Sequence, residues 1–411
     1  MPYGAPMSDG EVKRTKAQQA SGRALPTLLL VIFLNLLGFG IVIPLLPFYA
    51  KSFAAPPWQI ALIFSAYSIG AFFGEPFWGR LSDRIGRKPI LVSTVLGNCV
   101  CYGLLAFAPN VYVAFVVRLI GGAMSGNGSV IQGYIADVTP PERRSGRMAL
   151  LGVAFNIGFI VGPFVGGKLA HPDWGPLGFQ IPLLVASGLS AMSALGILLF
   201  VRESRTKPDA SQVHVSRWKM LGYAVNEPVI GRLMLLTFLS GSAFFGIESV
   251  FGLWGDARFK WGPQDIGAMF GFVGVTAATC QLFLTGYLSR RFGEAAVLAA
   301  GMLLALFGSL LQVVSTGFVT TTILLCLSAL GTSVAFPNVS ALISRTADPD
   351  SQGQVLGLNN ATSALARVIG PLAAGLVFAN VHQNGQFVLG AALLVPAIWL
   401  ALAARRRTTK C

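Results

Sequence analysis

Residues 27–50 contain no charged side chain. A helix rises about 1.5 Å per residue, so about 20 mostly apolar residues span the hydrocarbon core of a bilayer. This stretch is long enough, and comparable ones recur at roughly 58–78, 90–108, 111–136, 147–170, 181–201, 229–253, 264–288, 294–315, 318–344, 353–378 and 385–404. Hydrophobic residues make up 54% of the chain and charged residues only 11%, which is too few to coat a water-soluble body of this size. The short-period alternation of a membrane barrel is absent. The expected fold is an all-α membrane protein of twelve transmembrane helices, numbered here as spans 1–12.

The apolar runs are divided by short charged strips, and one strip organises the rest. Gly79-Arg-Leu-Ser-Asp-Arg-Ile-Gly-Arg-Lys-Pro89 places five charged residues among eleven, between spans 2 and 3. A related strip, Gly286-Tyr-Leu-Ser-Arg-Arg-Phe-Gly293, follows 207 residues later, and Gly162-Pro163 recurs as Gly370-Pro371 at an offset of 208. Two landmarks at nearly one offset predict a duplication, hence two six-helix bundles. The boundaries drawn from this are an N-terminal tail over 1–26, bundles over 27–201 and 229–404, a linker over 202–228 and a C-terminal tail over 405–411. Within the linker, Trp218–Leu221 is a short candidate for an interfacial helix.

Net charge is +14, which raises the question of nucleic acid. Of the 30 Lys and Arg residues, Lys51, Lys168, Arg258 and Lys260 fall at one set of span ends, and Arg118 and Arg367 fall inside spans. All the others lie at the opposite ends: in the tails, the linker or the strips there, with Arg147 and Arg232 at the inner ends of spans 5 and 7. That asymmetry is the positive-inside pattern: it predicts a multi-pass plasma-membrane protein, such as one of a bacterial inner membrane, with both termini cytoplasmic. A nucleic-acid role would need one basic face, so no nucleic acid is expected as a partner. The partners expected are protons, a small-molecule substrate and membrane lipids, with the chain as a monomer. The five cysteines have no disulfide or metal-ligand spacing, the three histidines lie outside the spans, and no phosphate-binding glycine loop ending in lysine occurs. Neither a metal nor a cofactor is expected, and no hydrolytic constellation suggests an enzyme.

Polar groups inside apolar runs are costly, which makes them the functional candidates. Glu248 in span 7 lies deepest; it is read either as a proton-carrying carboxylate or as a partnered structural one. Glu75 lies one turn before the charged strip, either pairing with it or binding a proton. Arg118 in span 4 has to face a cavity, a carboxylate or carbonyls, unless it snorkels to an interface. Asn35, Asn127, Gln281 and Asn360 are candidate hydrogen-bonding groups of a central cavity. Phe155, Phe251, Trp254 and Phe270 are candidate apolar walls, against the alternative that each simply packs on a neighbouring helix. Glycine spacing at Gly158, Gly162-Pro163, Gly166 and Gly167 sets a smooth ridge on span 5 that can seal one side of a gate. In the strip, Gly79, Asp83, Arg84, Gly86, Arg87 and Lys88 form a candidate latch in which Asp83 accepts from arginines and helix-end N–H groups, with Asp137 in the next loop on the same side.

In combination these motifs resemble the major facilitator superfamily over essentially the whole chain. Gly79–Pro89 matches that family's signature loop between helices 2 and 3, Arg118 its fourth-helix arginine, and Gly158–Gly167 its fifth-helix motif of proton-coupled antiporters. Gly38-Phe-Gly-Ile-Val-Ile-Pro44, Leu253-Trp254 with Arg258-Phe-Lys-Trp261, and Phe336-Pro-Asn338 with Ala341–Arg345 and Gln352–Gln354 are similar to the tetracycline-resistance exporters. Against that group's pattern, Asn35 replaces an aspartate, Ala71 a glutamine, Ala277 a histidine and Ala305 an aspartate. The resemblance therefore implies proton-driven export by alternating access, of an amphipathic or drug-like compound other than tetracycline. Glu248 then supplies the titratable site, with Arg118 tuning it. Import of a small metabolite through the same fold, by symport or facilitation, is the alternative.

Overall fold

The computed structural model describes residues 9–204, 227–347 and 352–408. The linker residues Arg205, Lys207, Arg217 and Lys219 and the segment 218–221 lie outside these. Twelve helices among the described residues are long and apolar enough to cross a membrane: Leu25–Lys51, Pro57–Ile85, Arg87–Ala106, Val111–Val138, Gly146–Leu169, Pro176–Phe200, Pro228–Phe259, Pro263–Phe292, Glu294–Val314, Phe318–Thr346, Gln352–Asn380 and Gly385–Ala403. They correspond to spans 1–12 in order. Several begin where proline is pre-set for the first helical turn and its missing N–H costs nothing, as at Pro57, Pro176, Pro228 and Pro263. The helix carrying span 1 starts at Asp9, well inside the stretch read as a tail, and the last one runs to Thr408.

The duplication is visible in packing. Span 1 lies against spans 5 and 6, span 2 against span 4, and span 3 against span 6. Six spans later the same partners recur, with span 7 against 11 and 12, span 8 against 10, and span 9 against 12. Glycines make the tightest of these approaches possible. A Cβ added at Gly162 would sit 2.7 Å from the Gly40 Cα, and one added at Gly246 would sit 2.9 Å from the Gly370 carbonyl oxygen. Two helix backbones can touch this closely only where side chains are missing, and the same contact appears in both halves. The charged strips turn at matching places too, with positive φ at Gly86 (116°) and Gly293 (81°).

Two spans depart from regular helix. Span 4 breaks between Val111–Ala123 and Asn127–Val138. The Trp78 indole N–H donates to the freed Ala123 carbonyl at 2.6 Å, so the break is satisfied by side chains of the same half. Span 8 loosens into a π turn over Cys280–Thr285.

The two strips lie at one end of the molecule, called here the loop end; the other is the far end. Spans 2 and 11 pack together across the two halves, as do spans 5 and 8. Lys51 and Asp256 form an ion pair at the far end, and the Gln264 amide donates to the Ala170 carbonyl there at 3.1 Å. A Cβ at Gly167 would come within 2.8 Å of the Gly267 Cα, also near the far end. Nearer the middle, the Ser65 hydroxyl donates to the Val368 carbonyl at 2.8 Å and the Asn156 amide to Gln281 Oε1 at 3.2 Å. The described contacts between the halves thus run from the far end to the middle.

Candidate functional site

Three charged residues lie near the middles of their spans. Arg367 lies almost at the middle of span 11, Glu75 four residues from the middle of span 2 toward the loop end, and Glu248 between four and five from the middle of span 7 toward the far end. At the helical rise, each carboxylate is about 6–7 Å from the middle of its own helix, toward opposite ends. Arg367 acts electrostatically on both Glu75 and Glu248. Neither carboxylate accepts a hydrogen bond or forms a close ion pair among the described residues. Glu75 is exposed, while Glu248 is half-buried. Arg367 also lies over the Phe245 ring, 5.7 Å from its centroid. The sequence reading placed Arg367 inside a span but gave it no role; its electrostatic reach to a carboxylate of each half was not readable from spacing.

Arg118 is not part of this set. It is 5% exposed, enclosed within the N-terminal half, with its guanidinium 4.7 Å from the centroid of the Tyr67 ring. The sequence required it to meet a cavity, a carboxylate or carbonyls. A small cavity is what the structure places beside it, lined by Tyr67, Asn98, Tyr102 and neighbours.

The uncharged candidates separate into two sets. Gln281 and Asn360 are exposed, Asn127 is half-buried, and Gln281 meets Asn156, a partner the sequence reading did not single out. Asn35 is half-buried, and its Nδ2 is enclosed without a partner. Phe155 is 47% exposed and stacks on Phe159. Phe251 and Trp254, expected as cavity walls, are instead fully buried in the C-terminal half. They pack with Phe387, Ile266 and Met269, and the Trp254 indole donates to Asn384 Oδ1 at 2.8 Å. Phe270 is half-buried and borders this cluster, 5.7 Å from Phe251. Aromatic mass was the signal in each case, and it cannot distinguish a lined cavity from a packed core.

The strip between spans 2 and 3 is closed by one arginine. Arg87 is 6% exposed and meets the Asp83 carboxylate at 2.8 Å, the Asp137 carboxylate at 3.1 Å and the Ser82 hydroxyl at 2.6 Å. Glu203, just past span 6, caps the start of span 3 by accepting from the Arg87 and Lys88 backbone N–H groups at 2.8 and 3.0 Å. Of the two roles the sequence offered Asp83, the pairing with an arginine is seen, with Arg87, while the N–H groups at the start of span 3 donate to Glu203. Lys88 donates to the Leu198 carbonyl at 2.9 Å, Arg84 is exposed, and Gly79 lies beside Ser129. The second strip is wired differently, with Glu294 paired to Arg345 at 2.9 Å and Ser289 donating to Asn338 at 2.9 Å. On span 5, Gly158, Gly162 and Gly166 face span 1, while Gly167 faces span 8 of the other half.

The family model of the Major Facilitator Superfamily matches residues 28–262 and 233–410. The chain is 30% identical to the class E tetracycline resistance protein of Escherichia coli, with 90% of this chain and 92% of that protein aligned. It is 29% identical to the class C tetracycline resistance protein of the same organism, covering 91% of this chain and 95% of the other. Among solved structures, the human organic anion transporter MFSD10 is 26% identical, with a TM-score of 0.68 over 92% of this chain and 99% of that one. With twelve apolar spans in two equivalent bundles and matches along nearly its entire length, the chain belongs to the major facilitator superfamily, a family of membrane transporters, and is closely related to its tetracycline- and multidrug-resistance members.

Proposed function

We propose that this protein is a proton-coupled secondary transporter that exports a small amphipathic compound by alternating access. The observation that carries the reading is Arg367, near the middle of span 11 and within electrostatic reach of one carboxylate from each half. A cation shared by two carboxylates makes them compete. When Glu75 takes up a proton, Arg367 is left to Glu248; when Glu248 is protonated, Arg367 is left to Glu75. Protonation thus changes the electrostatic attraction between the halves, which is what coupling a proton to a rocking motion requires. The described contacts between the halves, running from the far end to the middle, support an inward-facing state with the basic loops in the cytoplasm.

The outward direction is supported by the likeness to resistance proteins, since resistance to a compound follows from expelling it. Asn35, Ala71, Ala277 and Ala305 replace polar groups expected for tetracycline exchange, which favours a less polar amphipathic substrate. The second reading is import of a small metabolite by symport or facilitation. It keeps the same charges but has proton and substrate cross together, or substrate alone, where export has them cross on alternate steps.

Purified protein in liposomes, with an imposed proton gradient, separates these. The probes are ethidium, tetracycline and a labelled nucleoside. Movement of a probe against the direction of the proton flow supports export, and movement with it supports import. Replacement of Arg367 by Gln is expected to abolish the response to the gradient in either case. If that variant still responds fully, Arg367 is not the coupling group.

A further inference from the structure

Arg118 is a buried cation that nothing in the described structure neutralises. None of its N–H groups donates a hydrogen bond among the described residues, and Nε is enclosed without a partner. The ionisable groups acting on it are Tyr102, Tyr67 and Cys101, with no carboxylate among them. Arg87, the other strongly buried arginine of this half, is held by two carboxylates. Removing a partner from a buried charge is strongly destabilising, so a guanidinium left in this state calls for an anion from outside the chain.

The surroundings say what size that anion has. A cavity of about 10 Å³ adjoins the guanidinium, bounded by Tyr67, Asn98, Tyr102, Val117 and Gly121. This is room for one water-sized body. A single water fits but carries no charge. A halide is larger than water, so admitting one requires the Tyr102 or Asn98 side chain to move outward, and a carboxylate or a drug-sized substrate requires a greater displacement. Tyr102 is 6% exposed and its hydroxyl donates to no described residue, so a second idle donor borders the same space. The Asn98 amide reaches the Met124 carbonyl only at 3.5 Å, the limit of a hydrogen bond, and is available as a third donor.

We propose that Arg118, Tyr102 and Asn98 form a binding site for one small monovalent anion of halide size, enclosed within the N-terminal half between spans 2, 3 and 4. The anion neutralises Arg118 and accepts from the Tyr102 hydroxyl and the Asn98 amide, while the Tyr67 ring covers the guanidinium. The site stands apart from Glu75, Arg367 and Glu248, and it does not depend on the direction of transport. Tyr67 connects the two electrostatically, because Arg118, Glu75 and Arg367 all act on it.

The test is the melting of the full-length detergent-solubilised protein as chloride replaces gluconate at constant ionic strength and pH. A ligand that binds only the folded state raises melting saturably. The expected result is a saturable rise of about 2 °C or more with chloride or bromide and none with gluconate. Tyr102→Phe keeps the ring and removes one donor; it is expected to raise the chloride midpoint about threefold or more. Arg118→Gln is expected to erase the chloride response. Melting that ignores halide, or a Tyr102→Phe midpoint equal to the wild type, overturns the proposal even if Arg118→Gln fails to fold. A rise with acetate and none with bromide also overturns it, and assigns Arg118 to a carboxylate instead.

Discussion

Glu248 has a cation acting on it and no hydrogen-bond donor against it. A half-buried carboxylate in that position gains most from being able to change its charge. Glu248→Gln keeps the size and polarity of the side chain but cannot exchange a proton. Substrate exchange across liposomes without a gradient is expected to persist in this variant, while accumulation driven by a proton gradient is lost and the rate becomes insensitive to pH. Retained pH-dependent accumulation would move the proton site to Glu75. Phe251 offers a contrast, because it is fully buried in an aromatic cluster. Phe251→Ala is expected to cost about 3–5 kcal/mol of stability, measurable in melting, with substrate preference unchanged. If that substitution changed preference without lowering stability, the ring would belong to a substrate path after all.

At the scale of elements, the glycines of span 5 do two different things. Gly158, Gly162 and Gly166 let span 5 lie on span 1 within one half, whereas Gly167 lets it meet Gly267 across the interface. The first contact holds a bundle together, and the second closes the far end. Gly167→Val is therefore expected to leave the fold intact but weaken far-end closure. An impermeant thiol reagent applied from that side should then label a cysteine placed in the opening several-fold faster. Equal labelling in the variant and its parent would show that the closure does not depend on this contact. Span 4 adds a point the apolar pattern could not convey. Its break at 124–126 interrupts a run whose composition alone reads as a single helix. The break is held by Trp78 from span 2, a contact between elements far apart in sequence.

For the whole molecule, closure at the far end includes one exposed ion pair, Lys51 with Asp256, joining the first span of each half. Surface pairs contribute about 0.2–1 kcal/mol, enough to shift a two-state balance by up to about fivefold. Asp256→Lys is expected to favour the state open at the far end, and adding Lys51→Asp should restore the original balance. Spin labels on the loops after spans 1 and 7 would read the change as a distance distribution, and an unchanged distribution in the single variant would remove this pair from the gate. The twelve spans, their division into two bundles and the repeated glycines Gly86 and Gly293 were legible in the chain itself. Apolar length and basic strips act directly against a bilayer, and a left-handed turn favours glycine whatever surrounds it. The sequence could also mark Glu75, Glu248, Arg118 and Arg367 as costly residues in apolar runs. Only the tertiary structure decided that Arg367 lies within electrostatic reach of both carboxylates, that Arg118 is left without either, that Glu203 caps span 3, and that Trp254 packs in a core. Each of these depends on which distant helices come into contact, and the period of a single helix carries no information about its partners.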